Sequence, residues 1–143
     1  MAELLLARAL ASTNIAAPPE KVFDAWLTQD IASRFLAAGN HEVSAISIDP
    51  REGGAFNVSM ANTDSSFDHH GHYVVIDRPR RLVFTWVSPA TEGRLTMVEI
   101  LFTPADGGTR LELRHEGLLN EERERQHAGG WQSILDKLQR QLN

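Results

Sequence analysis

The sequence contains no cysteine, which removes disulfides, thiolate catalysis and cysteine-ligated zinc together. Positive charge is also scarce: 14 Lys and Arg stand against 19 Asp and Glu, a formal net charge of −5. Nucleic acid demands clustered Lys and Arg facing its phosphates, and an anionic membrane surface demands the same, so neither is an expected partner. No apolar run approaches the roughly 20 residues that cross a bilayer. The start, Met1 to Leu10, is leader-like only in outline. Glu3 stands where a positive segment belongs, and Arg8 interrupts an already short apolar core. It reads as a strand of a cytoplasmic protein. A nucleophile elbow, a phosphate-binding loop, an HExxH pair and the paired glycines of a dinucleotide site are absent too, so no cofactor is expected.

What is present patterns as one domain over residues 1–143, long enough to bury about 68–70% of its unfolded surface without staples. Leu4 to Ile15 reads as a first strand. Ala17-Pro18-Pro19-Glu20 opens a helix, because proline in the first turn has no hydrogen bond to lose. Val22, Phe23, Ala25 and Trp26 give that helix its apolar face. Asp30 is the expected N-cap of a second short helix, Ile31 to Leu36. From His41 the period changes to two. Strands are expected around Val43–Ile48, Phe56–Met60, His72–Ile76, Leu82–Trp86, Leu95–Phe102 and Leu111–Leu113. Ala61–Phe67 and Ser88–Arg94 read as polar loops, and Ala105-Asp106-Gly107-Gly108 as a tight hairpin turn.

Asn120 then caps a terminal helix whose apolar residues, Trp131, Ile134, Leu135, Leu138 and Leu142, fall on one face. The opposite face is Gln, Asp, Lys and Arg, so the helix must lie on something apolar. Short connections between successive strands imply an antiparallel meander, and a twisted sheet of that size curls. The expected fold class is therefore α+β: a curved antiparallel sheet gripping a long C-terminal helix, with two short helices between the first and second strands. Such a helix-grip arrangement tends to enclose a cavity.

Ala17-Pro18-Pro19-Glu20-Lys21-Val22-Phe23-Asp24-Ala25-Trp26 resembles the opening of the START-like (SRPBCC) superfamily. More narrowly, the chain resembles the branch related to the C-terminal domain of the activator of Hsp90 ATPase. Gly53-Gly54-Ala55-Phe56, Gly71 to Ile76, Arg81 to Trp86, Gly108 to Leu113, and Gly130-Trp131 followed by Leu135 and Leu138 carry the likeness, in order, from about Thr13 to Leu142. The resemblance implies an apolar cavity between sheet and terminal helix. It also implies functions ranging over lipid and hormone binding, polyketide cyclisation and co-chaperone activity. The eukaryotic member that gives the branch its label has an additional N-terminal domain contacting the chaperone, and that part is expected to be missing here.

The expected function is binding of a small apolar or aromatic ligand in the cavity. An interaction protein with a chaperone partner, or a cyclase- or dehydratase-like enzyme using acid–base residues, are the alternatives. The candidate lining is Trp26, Phe56, Val58, His72, Val74, Phe84, Trp86, Glu99, Leu101, Leu113, His115, Trp131 and Leu135. For each, plain core packing is the competing reading. His115 either orients a ligand or acts as a base, or is a satisfied core histidine. Glu99 is either a cavity acid or a solvated residue on a half-covered face. In Asp68-His69-His70-Gly71-His72, only His70 and His72 share a strand face, too few ligands for a closed metal site. Gly129-Gly130 reads as a hinge at the cavity mouth, as a close backbone approach, or as a sign that the helix proper begins near Trp131. Oligomeric state stays open between monomer and homodimer.

Overall fold

The structure, a computed structural model, describes residues 7–143. Its elements are β1 (Ala7–Ile15), α1 (Pro19–Leu27), α2 (Gln29–Ala32), β2 (Glu42–Ile48), β3 (Ala55–Ala61), β4 (Ser66–Asp77), β5 (Arg81–Trp86), β6 (Thr96–Ala105), β7 (Gly108–Leu118) and α3 (Glu121–Leu142). Strands β2 to β7 form an antiparallel meander, and β1 returns to pair with β7, giving the order β1-β7-β6-β5-β4-β3-β2. The helix-grip expectation holds, with α3 on the concave side. The part of the first strand expected at Leu4–Leu6, and the leader-like first residues, lie outside the described residues.

Local chemistry sets the boundaries. Pro19 occupies the first turn of α1, and the face Val22, Phe23, Ala25 and Trp26 is buried. The second helix is shorter and earlier than expected. Thr28, not Asp30, holds its N-cap position, and the Asp30 carboxylate instead accepts from Arg34 at 3.0 Å. The expected loop Ala61–Phe67 contracts to residues 62–65. Asn62 Oδ1 accepts from the backbone N–H of Asp64 and of Ser65, both at 2.8 Å, so the side chain closes the turn. Asp106 and Gly107 both take positive φ, 48° and 77°, as a two-residue hairpin turn demands.

The face presented by β4 differs from expectation. His69, Gly71 and Tyr73 point inward, while His70, His72 and Val74 point outward. The ladder with β5 is irregular between Tyr73 and Val75, so one extra residue shifts the alternation and Ile76 packs on the core with Tyr73. Reading the alternation backwards from Ile76 therefore places His72 and Val74 on the wrong side. At Gly71 a Cβ would stand 1.9 Å from the Thr85 carbonyl oxygen and 2.8 Å from the Phe56 ring, so glycine is required there.

Helix α3 begins where Asn120 Oδ1 accepts from Arg123 N at 2.9 Å, with Glu121, Glu122 and Glu124 beside the positive end of the helix dipole. Gly129 and Gly130 lie within it rather than before it. Trp131, Ile134, Leu135 and Leu138 are buried against the sheet. Gln132 and Gln139 donate to the backbone carbonyls of Ser12 and Asn14, at 3.1 and 2.7 Å, fastening the helix to edge strand β1.

Candidate functional site

Between α3 and the concave face lies a cleft of about 160 Å³, walled by Met60, His69, Trp86, His127, Trp131 and Ile134. Behind Trp86 lies a smaller hollow of about 20 Å³, bounded by Trp26, Leu36, Phe56, Tyr73, Leu82 and Phe84 as well as Trp86 itself. That is room for a single water. The Trp26 indole N–H is buried without a partner among the described residues. Trp86 stands 4.9 Å from Trp131 and 5.9 Å from Phe56, ring to ring, so it separates the two spaces.

A continuous hydrogen-bond chain holds the far wall. Trp131 Nε1 donates to His115 Nδ1 at 2.9 Å. His115 must then carry its proton on Nε2, which donates to Thr96 Oγ1 at 2.7 Å, and the Thr96 hydroxyl in turn donates to the Trp86 carbonyl at 2.6 Å. Both ring nitrogens of His115 are thus occupied in the neutral form. Burial, and then the proximity of His127, push its pKa down to about 3. The group cannot act as a base near neutral pH. It links the Trp131 ring on the helix, through Thr96, to the backbone of Trp86 on the sheet.

The candidate residues from sequence therefore divide into three groups. Trp26, Phe56, Phe84, Trp86 and Trp131 line the two spaces. Val58, Leu113, His115 and Leu135 face the interior but are sealed in packing, each at most 2% exposed. His72, Val74, Glu99 and Leu101 lie on the outer face of the sheet. On β6 the buried positions are Thr96, Val98, Ile100 and Phe102, which sends Glu99 and Leu101 outward. Glu99 accepts from Arg81 and from Arg114, both at 2.6 Å; those bonds, Arg81 foremost, hold its carboxyl below the usual range.

Sequence reasoning missed His69, Met60, His127 and Ile134 as cleft residues. His127 was legible, being one turn before Trp131 on the same helical face. His69 was legible only with the correct alternation of β4. In the histidine-rich segment, His70 and His72 face outward and Asp68 accepts from the Ser59 hydroxyl at 2.6 Å. Among the described residues, no three His, Asp or Glu side chains converge as metal ligands.

A larger concavity, about 390 Å³, lies elsewhere, between the segment 33–43 and Lys137. Its rim residues Arg34, Asn40 and Glu42 are exposed. The Lys137 ammonium, which would be its anchor, already donates to the backbone carbonyls of Ala37 and His41. This groove is lined mainly by polar surface, unlike the cleft beneath α3.

The comparisons agree with this architecture. A family profile described as Activator of Hsp90 ATPase homolog 1-like protein matches residues 16–143. The crystal structure of the AHSA1 protein from Silicibacter pomeroyi is 26% identical, with 95% of this chain and 97% of that one covered and a TM-score of 0.82. The solution structure of an AHSA1-like protein from Aeromonas hydrophila is also 26% identical, covering 94% and 90% at a TM-score of 0.77. A protein from Chromobacterium violaceum shares the fold at 19% identity, 95% and 97% coverage and a TM-score of 0.82. No curated protein matches the chain. No helix among the described residues is long and apolar enough to cross a membrane. On its fold and on the match over residues 16–143, the chain belongs to the Activator of Hsp90 ATPase homolog 1-like family.

Proposed function

We propose that the protein binds a small apolar or aromatic molecule in the cleft between the sheet and α3. The observation that carries this reading is the cleft itself, about 160 Å³ bordered by two tryptophans, a methionine and an isoleucine. Its lining is mostly apolar and aromatic with a few polar groups, the character of a small-molecule site. An apolar cavity of about 150 Å³ is large enough for a benzene-sized guest. The buried part of the ligand is therefore one or two rings, lying against the wall that Trp86 and Trp131 form together, with any remainder leaving past Ala90 and Gln126.

Recognition fits these residues better than acid–base catalysis. His115 is sealed and doubly bonded, and Glu99 faces outward between two arginines. The two histidines that do face the cleft, His69 and His127, each bond to a backbone carbonyl rather than to a carboxylate.

Native mass spectrometry of the purified protein tests the proposal, combined with thermal unfolding against a panel of one- and two-ring aromatics. The expected result is a discrete mass excess lost on denaturation, or a concentration-dependent rise in Tm with at least one panel member. A bare mass with no Tm shift across the panel overturns it.

A further inference from the structure

The buried polar side chains of the cleft are both histidines. His69 and His127 are 9% and 8% exposed, and both line the cleft. His69 Nδ1 lies 3.2 Å from the Val58 carbonyl oxygen, and His127 Nδ1 lies 2.8 Å from that of Arg123. A carbonyl only accepts, so both imidazole protons sit on Nδ1 and both Nε2 atoms present bare lone pairs. Neither Nε2 has a partner among the described residues. Burial is the leading influence on both rings and favours the neutral form. The remaining polar side chain, Gln126, is exposed at the rim with its amide oxygen engaged by Arg123 at 2.8 Å.

Two unengaged acceptors on the wall of a largely apolar space favour a ligand that brings a donor, because a hydroxyl or ring N–H loses less on leaving water where an acceptor can receive it. The His69 ring lies 5.1 Å from Trp86 at 37°, so acceptor and aromatic wall meet on one surface. Resting on the cleft as a ligand site, we infer that it selects aromatic molecules bearing a hydrogen-bond donor, a phenolic hydroxyl or ring N–H, over donor-free isosteres. Nε2 of His69 and of His127 are the accepting atoms. Desolvation works against a hydroxyl that finds no acceptor, so a preference for it is diagnostic.

The test compares 2-naphthol, 2-fluoronaphthalene and naphthalene by titration calorimetry at pH 7.5. Wild-type protein is expected to bind 2-naphthol at least about tenfold tighter than 2-fluoronaphthalene, about 1.4 kcal/mol. In ¹⁵N spectra, the Nε2 resonances of His69 and His127 are expected to move with 2-naphthol and not with naphthalene. A His69→Phe/His127→Phe variant, shown folded by circular dichroism, is expected to lose the preference while still binding naphthalene. Equal wild-type affinities with unmoved Nε2 resonances overturn the donor inference and leave the cleft reading intact. Failure of all three compounds to bind overturns the cleft reading itself. Should the double variant not fold, the wild-type affinity ratio and the ¹⁵N shifts decide alone.

Discussion

Replacing Trp131 by alanine probes the joint between helix and sheet. The residue is 3% exposed, 4.9 Å from Trp86 and 6.4 Å from Trp26, and its indole N–H satisfies His115 Nδ1. Deleting a buried tryptophan side chain costs about 3–5 kcal/mol through lost transfer energy and the cavity left behind. Orphaning a buried acceptor adds about 1–3 kcal/mol where water cannot reach it. Here the vacated volume opens into the existing cleft, so water can reach His115 and the second contribution shrinks. The expected loss is about 3–5 kcal/mol, a large share of the about 5–15 kcal/mol typical of a domain. Trp131→Phe keeps most of the ring but removes the donor, and is expected to cost about 1–3 kcal/mol. Urea unfolding followed by far-ultraviolet circular dichroism measures both, with m-values unchanged from wild type. A loss below about 1 kcal/mol for the alanine variant refutes the claim that this ring fastens α3 to the sheet.

Buried neutral histidines make the fold sensitive to mild acid. His69, His115 and His127 all have pKa values below the ordinary 6.5, chiefly through burial, so below that pH the unfolded chain binds more protons than the fold. Stability is expected to be whole above about pH 6.5 and to fall as the pH drops toward the folded values, about 3 for His115, with each histidine contributing up to about 1.4 kcal/mol per pH unit. Denaturant midpoints between pH 7.5 and 5 read this directly, and a flat profile contradicts it. Glu99→Gln breaks the pairs with Arg81 and Arg114 on the outer face; it is expected to cost about 1 kcal/mol and leave ligand affinity unchanged. An affinity change there would relocate the site. Gly129 lies mid-helix and its Cβ position meets nothing within 4 Å, so Gly129→Ala is expected to stabilise by up to about 1 kcal/mol. A stabilised variant that binds the probes less well would instead reveal a hinge at this position.

The chain's periodicities carried most of the fold. The single apolar stripe from Trp131 to Leu142 announced a helix lying on a sheet, and the two-residue alternation of Phe56, Val58 and Met60 announced its concave face. Boundaries were legible where one residue decides them, as at Pro19, Asn120 and Asp106-Gly107. They were not legible where a side chain closes a turn on itself, as Asn62 does. The site was half visible. Tryptophans and phenylalanines announce burial by their size, and Trp26, Phe56, Phe84, Trp86 and Trp131 all reach the two spaces. Val74 and Leu101 misled because an apolar residue on the outer face of a strand has the same composition as one inside. The irregularity after Tyr73 inverted the reading of β4, exchanging His72 for His69, and a shift of one residue leaves no trace in composition. His115 lies on the inward face anticipated for it, but its neutrality depends on Thr96 and Trp131, partners brought close only by the fold.

Chemical-shift mapping with a small aromatic probe tests the central claim most directly. ¹⁵N-labelled protein titrated with 2-naphthol is expected to show saturable shifts concentrated at Met60, His69, Trp86, His127, Trp131 and Ile134, including the indole resonances of both tryptophans. Shifts centred on the larger groove around Arg34, His41 and Lys137, or no saturable shifts at all, would contradict a ligand site beneath the C-terminal helix.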